Sequence, residues 1–366
     1  MENLSERFFQ RILLINFGGI GDEILFFPVI EALRYQYPNA RIAVVVEPRC
    51  RNLMEHNYLI DQVYSFDIKH NKAPGDLLEL MTTLRAEAPE LIISSGSSSL
   101  VAPLLFLSGA PYRVGYDSGK LRFLLTHRAP LNNNQYAAEM YYDLLRPMGF
   151  PSRAVVPRMP LPSVVKNWAE RWLRRQQLPR EAYVLIHPGV SLMSKEKKLI
   201  KSWPRERWAE LIERLLAAGR HVVLAGGPDD AEEISDLQQR IQHPRMVSAY
   251  GETRDLYQLG ALMQTAAVSV CVDSAPMHLG VALDARLVAI FGPTDENKLV
   301  PAGQTDRIQV VQHPVSCRPC LWATRQTTCD TLDCLNGIRT EAVYEAIQQL
   351  APLHKPSPPA PLGSAC

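Results

Sequence analysis

The chain has 366 residues, 46% apolar and 21% charged, enough for about two cores at roughly 150 residues each and too hydrophobic for general disorder. Lysine and arginine number 39 against 38 aspartates and glutamates, a net charge of +1, which argues against a dedicated nucleic-acid binder but leaves room for a local basic patch. The longest uncharged stretch, 91–112, holds six serines, two glycines and two prolines, so no membrane span is expected.

The N-terminus carries Glu2, Glu6 and Arg7 before a short apolar run and does not read as a signal peptide. Residues 11–17 predict a buried strand, and 22–37 a helix stopped by Pro38 and kinked at Pro28. Strands are expected at 41–46 and 91–95, with helical patterns at 75–86 and 135–147. Strands alternating with helices imply a parallel sheet covered on both faces. Prolines at 147, 151, 157, 160 and 162 mark an interdomain linker, followed by a basic helix over 164–177. The alternation then restarts: strand 183–187, helix 204–218, strand 221–225, helices 229–240 and 254–265, strand 268–272, helix 275–283 and strand 286–291. This predicts an α/β protein of two doubly wound Rossmann-like domains facing a cleft, over 1–160 and 181–350, joined by a linker and helix at 161–180. The proline-rich tail, 351–366, reads as disordered.

The first strand hands over to the first helix through FGGIGD, 17–22. Glycines there allow a tight turn and close approach of a ligand to the helix N-terminus. Gly19 and Gly21 are followed by Ile24 where the dinucleotide fingerprint needs glycine or alanine, so a nicotinamide oxidoreductase is disfavoured, although Glu47 could imitate its ribose-binding acid. Asp22 lies in the first helical turn at the carboxyl end of a central strand, the side on which open α/β sheets bind ligands. Two roles suit it: a base that takes a proton from a hydroxyl, or a plain helix cap.

In the second half, HPGVS (187–191) ends a strand in a glycine turn. Lys201 stands just before a helix start at Pro204, where a cation can reach a phosphate. Lys195, Lys197 and Lys198 share its loop and fit that role as well, and a solvated basic loop is the bland alternative. In VSVCVDSAPMHLGVAL (268–283), Asp273 and Ser274 form the turn after a buried strand. Ser274 is an N-cap candidate, the N–H groups after it suit a diphosphate, and His278 faces the same space unless it is a core residue. AGGPDD (225–230) and FGPTD (291–295) are further strand exits into the cleft.

Taken in order, FGGIGDEILFFPVIEALRYQYP, HPGVS, KSWPRERWAEL, GGPDD, DSAPMHLGVAL and FGPTD resemble the heptosyltransferase family, glycosyltransferase family 9, from residue 11 to about 350. The resemblance implies a GT-B fold and an inverting, metal-independent transfer of heptose from ADP-heptose to a lipopolysaccharide core acceptor. It implies a cytoplasmic enzyme, peripheral at the inner membrane, with no cofactor and no nucleic-acid partner. Asp22 falls on the family's base and Gly19 on its acceptor side. Gly189, Ser191, Lys201, Asp273, Ser274, Met277 and His278 fall on the donor side. A family member using another nucleotide sugar, or a non-catalytic sugar-nucleotide binder that kept the fold, are the alternatives. The loop between HPGVS and Lys201 is longer here than is usual in the family.

Residues 110–130 carry Arg113, Lys120, Arg122, His127 and Arg128 against Asp117 alone. Arg113, Lys120 and Arg122 are expected to hold an anionic, lipid-linked glycan acceptor or to meet the membrane surface, an ordinary exposed face being the alternative. Seven cysteines, an odd number, suggest a reducing compartment. Four of them, Cys317, Cys320, Cys329 and Cys334, give C-x2-C-x8-C-x4-C, a candidate structural zinc site on the spacing of its first pair.

Overall fold

The computed structural model describes residues 4–353 apart from Lys69 and Lys72, so most of the expected proline-rich tail lies outside the described residues. One six-stranded sheet comprises β1 (Arg11–Asn16), β2 (Arg41–Val46), β3 (Gln62–Ser65), β4 (Leu91–Ser94), β5 (Tyr112–Tyr116) and β6 (His127–Ala129). A second comprises β7 (Tyr183–His187), β8 (His221–Leu224), β9 (Met246–Ser248), β10 (Val268–Val272), β11 (Leu287–Phe291) and β12 (Ile308–Gln312). Their spatial orders are β3-β2-β1-β4-β5-β6 and β12-β11-β10-β7-β8-β9, with parallel pairing at the centre of each. β7, β10 and β11 are buried along their whole length, which is why they read as unbroken apolar runs. In each sheet the order of strands reverses at the centre, between β1 and β4 and between β7 and β10. Crevices for ligands open beyond the carboxyl ends of strands at such points.

The edge strands β3, β6, β9 and β12 and the short β5 were not expected. β6 and β9 have three residues each, too few to show a period, and β9 is only partly buried. The helix expected at 135–147 is α-helical only over Ala137–Tyr142 and tightens into a 3-10 turn over Asp143–Met148, where Pro147 has no N–H to continue the α ladder.

The first helix, Ile20–Gln36, starts earlier than expected and continues unbroken through Pro28. It is buried almost all round from Glu23 to Leu33 because it packs on the helix Ala137–Tyr142 and, from the second half, on the helix Ala275–Ala282. That partner helix is itself buried from Pro276 to Ala282. The seam between the halves is therefore two apolar helices, each entered from the carboxyl end of a central strand. Tyr257 Oη donates across it to the Leu53 carbonyl (3.2 Å), and the Met159 N–H to the Ala282 carbonyl (2.9 Å). The basic helix forms over Ser163–Arg175 and packs on the helix Leu256–Thr265 of the second half. Among the described residues no helix is long and apolar enough to cross a membrane.

Candidate active site

β1 ends at Asn16, whose Oδ1 accepts the Gly18 N–H (3.1 Å) and the Ser95 hydroxyl (2.9 Å), fixing the glycine turn. Two glycines of the turn have no space for a side chain. A Cβ on Gly18 would lie 2.3 Å from Asp22 Cβ, and one on Gly21 2.7 Å from His278 Cδ2 across the seam. Asp22 Oδ2 accepts the Gly19 N–H at 2.7 Å, so the capping role is real. Its Oδ1 accepts the Tyr141 hydroxyl at 2.9 Å. Two donors thus orient a half-buried carboxylate, which keeps further lone pairs for other partners and whose charge is felt by His278 of the other half. Tyr141 was missed in the sequence because nothing local marks it. Burial, and then the charge of Asp22, drives its phenol well above the ordinary value, so it remains a proton donor. Arg49, also missed, pairs with Glu47 (3.0 Å) and stands beside Gly19.

Behind Asp22, Glu23 is fully buried, and among the described residues neither carboxylate oxygen meets a donor at full hydrogen-bonding geometry, Asn16 being the nearby amide that acts on it. Burial first, then the charges of Asp22 and Glu47, raise its pKa well above 4.5; Asn16 and Arg49 offset only part of this. The folded protein therefore keeps this proton to higher pH than the unfolded chain. Stability from this group is complete below 4.5 and is lost as the pH rises through the folded pKa. Glu23→Gln keeps the neutral shape without titrating. Its melting temperature relative to the parent should climb as the pH rises above 4.5, whereas a difference that ignores pH would contradict a raised pKa.

In the second half, β10 leads into Asp273, which is 2% exposed. Its Oδ2 accepts the Thr294 hydroxyl (2.7 Å) and lies 3.2 Å from Lys201 Nζ. Arg318 holds the Thr294 loop by donating to the Gly292 (2.5 Å) and Thr294 (3.0 Å) carbonyls and to Glu296 Oε2 (2.8 Å). The Lys201 ammonium also sits 5.4 Å from the Trp322 ring centroid. The four loop lysines now separate: Lys195 is paired with Glu233 (2.5 Å), Lys197 and Lys198 are exposed, and Lys201 is the one against Asp273.

Ser274 occupies the N-cap position of the helix Ala275–Ala282, but its hydroxyl donates back to the Val272 carbonyl (3.3 Å) instead of capping. Met277 departs from expectation. Its side chain is fully buried in the core and its N–H is taken by the Ser274 carbonyl (3.0 Å). Since Pro276 has no N–H, the open donor in that turn is Ala275. His278 is buried against Gly21, and burial lowers its pKa against the opposing pull of Asp273 and Asp22, leaving a neutral imidazole at neutral pH.

Gly189 is required by Asp230: a Cβ there would lie 1.7 Å from Asp230 Oδ1. Asp230 in turn accepts the Gly227 N–H (2.8 Å) and sits 3.5 Å from His187 Nε2, burial pushing the histidine's pKa down and the carboxyl's up. Ser191 caps the short helix Leu192–Glu196 by accepting the Ser194 N–H (3.3 Å).

The basic patch splits. Arg113 is a brace and not a free cation: it donates to the Ala110 (2.6 Å) and Leu124 (2.8 Å) carbonyls and lies over the Phe106 ring. Arg122 and Arg128 share Asp117 at 3.2 and 3.6 Å with both side chains about half exposed, and Lys120 is exposed. Ser118 Oγ donates to the Ser97 carbonyl (3.3 Å), which ties this loop to the serine segment behind the glycine turn.

The four cysteines of the zinc expectation stand in one neighbourhood: burial first, and then the other thiols of the set, raise the pKa of Cys320 and Cys334. Among the described residues no three His, Cys, Asp or Glu side chains gather in a metal-holding group. Cys317 is exposed while Cys320 is buried, and the loop between Cys320 and Cys329 closes on its own backbone, the Thr324 and Arg325 N–H groups both donating to the Cys320 carbonyl.

The family model for glycosyltransferase family 9 (heptosyltransferase) matches residues 77–329. The chain is 29% identical to lipopolysaccharide heptosyltransferase 3 of Escherichia coli over 285 residues, 75% of this chain and 81% of the relative. It is 25% identical to lipopolysaccharide heptosyltransferase 2 of Salmonella typhimurium over 82% of this chain and 87% of the relative. Among solved structures it superposes on a family 9 glycosyl transferase from Veillonella parvula with a TM-score of 0.77 at 21% identity, covering 96% of this chain and 99% of the other. The superposition on the E. coli ADP-heptose lipopolysaccharide heptosyltransferase II has a TM-score of 0.72 at 23% identity, covering 93% and 98%. At these identities the two superpositions speak for the fold.

Proposed function

The chain belongs to glycosyltransferase family 9 and has its GT-B fold, and from that premise we propose that it transfers heptose from ADP-heptose, with inversion and without a metal, to a lipopolysaccharide core acceptor. The supporting observation is the juxtaposition at the seam. Asp22, held by Tyr141 and Gly19, comes from one half, and the Lys201–Asp273–Thr294 cluster with His278 comes from the other. The names of the E. coli and Salmonella relatives point to heptose and lipopolysaccharide, and that of the E. coli structure to ADP-heptose.

In this reading the acceptor hydroxyl attacks the anomeric carbon and passes its proton to Asp22 as the carbon–oxygen bond to the diphosphate breaks. Lys201 meets the charge that develops on the departing diphosphate. An ammonium has three donors, so it can reach a phosphate oxygen without leaving Asp273. The Ala275 N–H adds the positive end of its helix, and neutral His278 donates or accepts without bringing a charge of its own. Gly189 and Ser191 shape the opposite wall of the donor site, and Ser274 its turn. Gly19, Lys120 and Arg122 lie on the acceptor side, while Met277 and Arg113 act as structural support.

The test is thermal denaturation with ADP, UDP, GDP and CMP and their sugar conjugates, followed by product analysis with ADP-heptose in the presence of a chelator. A ligand at about 100 times its Kd adds about 2.7 kcal/mol. Selective stabilisation by ADP and ADP-heptose, with transfer unaffected by chelation, is the expected result. Selective stabilisation by another nucleotide replaces the donor, and loss of transfer on chelation rejects metal independence.

A further inference from the structure

The loop over residues 317–329, which follows β12, is clamped to both sides of the donor cluster. On one side the Cys320 and Leu321 N–H groups donate to the Pro293 carbonyl (2.9 and 3.0 Å), beside the Arg318 bonds to the Gly292 and Thr294 carbonyls, so the loop is fixed to the end of β11. On the other, the Thr328 hydroxyl donates to the Lys198 carbonyl (2.8 Å) and accepts the Ile200 N–H (3.2 Å). That second clamp holds the stretch that leads into Lys201.

Trp322 stands between the clamps in a costly conformation. Cys320 and Leu321 before it are buried, whereas Trp322 is 52% exposed. Its φ of +65° lies in the left-handed region that bulky residues avoid, and its N–H is held there by the Arg325 carbonyl (2.7 Å). Asparagine or glycine would take that backbone with less strain. A large ring kept in water on a strained, doubly anchored backbone adds little to the core, and strain of this kind gathers where a ligand is held.

The ring centroid is 5.4 Å from the Lys201 ammonium, the same ammonium that lies 3.2 Å from Asp273. A donor whose diphosphate reaches Lys201 therefore brings the group next to that diphosphate up to the indole. The β11 flank identifies the group. Just beyond β11, the short helix Glu296–Leu299 carries Lys298, whose Nζ donates to Asn134 Oδ1 of the first half (3.4 Å). Both residues follow the carboxyl ends of their strands, β11 and β6, so this flank of the donor cluster closes on the first half. The reacting sugar has to lie between the halves, because Asp22 comes from the first. The glycine exits of β7 and β8 lie on the other flank of β10 and are left to the nucleoside.

We propose that Trp322 is a specificity-determining residue of the donor site, its indole packing against a C–H face of the transferred sugar. This rests on the proposed function and deepens it. The face of an aromatic ring is electron-rich and the C–H bonds of a sugar are weakly positive, so flat contact satisfies both while it removes apolar surface from water.

The test compares the parent with Trp322→Asn and Trp322→Phe by calorimetry against ADP and ADP-heptose, together with acrylamide quenching of tryptophan fluorescence. Of the five tryptophans, Trp172, Trp203 and Trp208 are buried and Trp168 is half-buried, so quenching reports mainly on Trp322. ADP-heptose should shield the parent from acrylamide and ADP should not. Trp322→Asn should weaken ADP-heptose binding on the order of ten-fold and leave ADP binding nearly unchanged, with Trp322→Phe recovering most of the loss. Its melting temperature should not fall, since asparagine tolerates the left-handed backbone. Equal losses for ADP and ADP-heptose mean that the ring braces Lys201 or packs on the base, and overturn the proposal. Unchanged ADP-heptose affinity in Trp322→Asn, or quenching that ADP-heptose does not alter, overturns it as well. If the parent binds a different nucleotide sugar, the donor of the proposed function is wrong, and the same comparison between that nucleotide sugar and its free nucleotide decides the role of Trp322. A parent that binds no nucleotide sugar rejects both.

Discussion

Asp22→Asn is expected to lower kcat by about 10²–10⁴-fold, the usual worth of a positioned general base and equivalent to about 3–5 kcal/mol. The substitution keeps the size of the side chain and one acceptor oxygen. It places an amide NH2 where the carboxylate now receives either the Gly19 N–H or the Tyr141 hydroxyl. One of those two bonds is lost, costing about 0.5–1.5 kcal/mol of stability, too little to unfold the domain. Donor affinity, read by calorimetry on the inactive variant, should stay close to that of the parent because the donor cluster lies on the other half. If donor affinity fell in step with kcat, Asp22 would be a donor-binding residue and a different group would have to take the proton.

Lys201→Ala is expected to reduce kcat/KM for the donor by about 10–150-fold, the loss of one charge-assisted contact worth roughly 1.5–3 kcal/mol. Lys195→Ala should leave kcat/KM nearly unchanged, because Lys195 is committed to Glu233. The contrast matters because both lysines belong to the same loop. Lys201→Ala also leaves the buried Asp273 with the Thr294 hydroxyl as its remaining partner, so the melting temperature should fall. Assays well below that temperature separate the two effects: a lost phosphate contact persists there, whereas a loss due only to partial unfolding vanishes. Equal kinetic losses in both variants would mean that the loop acts as a diffuse basic surface.

The layout of the protein was legible in its sequence because it is written in local terms. Central parallel strands are buried on both faces and so are continuous apolar runs, and glycines mark the turns where a Cβ would strike a neighbour, as at Gly18, Gly21 and Gly189. Those runs and turns were enough to place the strand ends that carry Asp22, Asp273 and His278, and their order resembles one family. Short edge strands such as β6 and β9 escaped because three residues hold no period.

What only the tertiary structure decided is which side chains meet. Tyr141 finds Asp22 across 119 residues of chain, and Lys201 finds Asp273 across 72. The sequence places Lys201 just before a helix start but says nothing of what it meets, and only the packing of the loop gives it an aspartate and Lys195 a glutamate. The same packing turned Met277 into core and Arg113 into a brace. Residue type and spacing set the backbone path and the exposed or buried character of each position. The partner of a polar side chain depends on how distant elements dock, and that docking is settled by the burial of the two seam helices against each other.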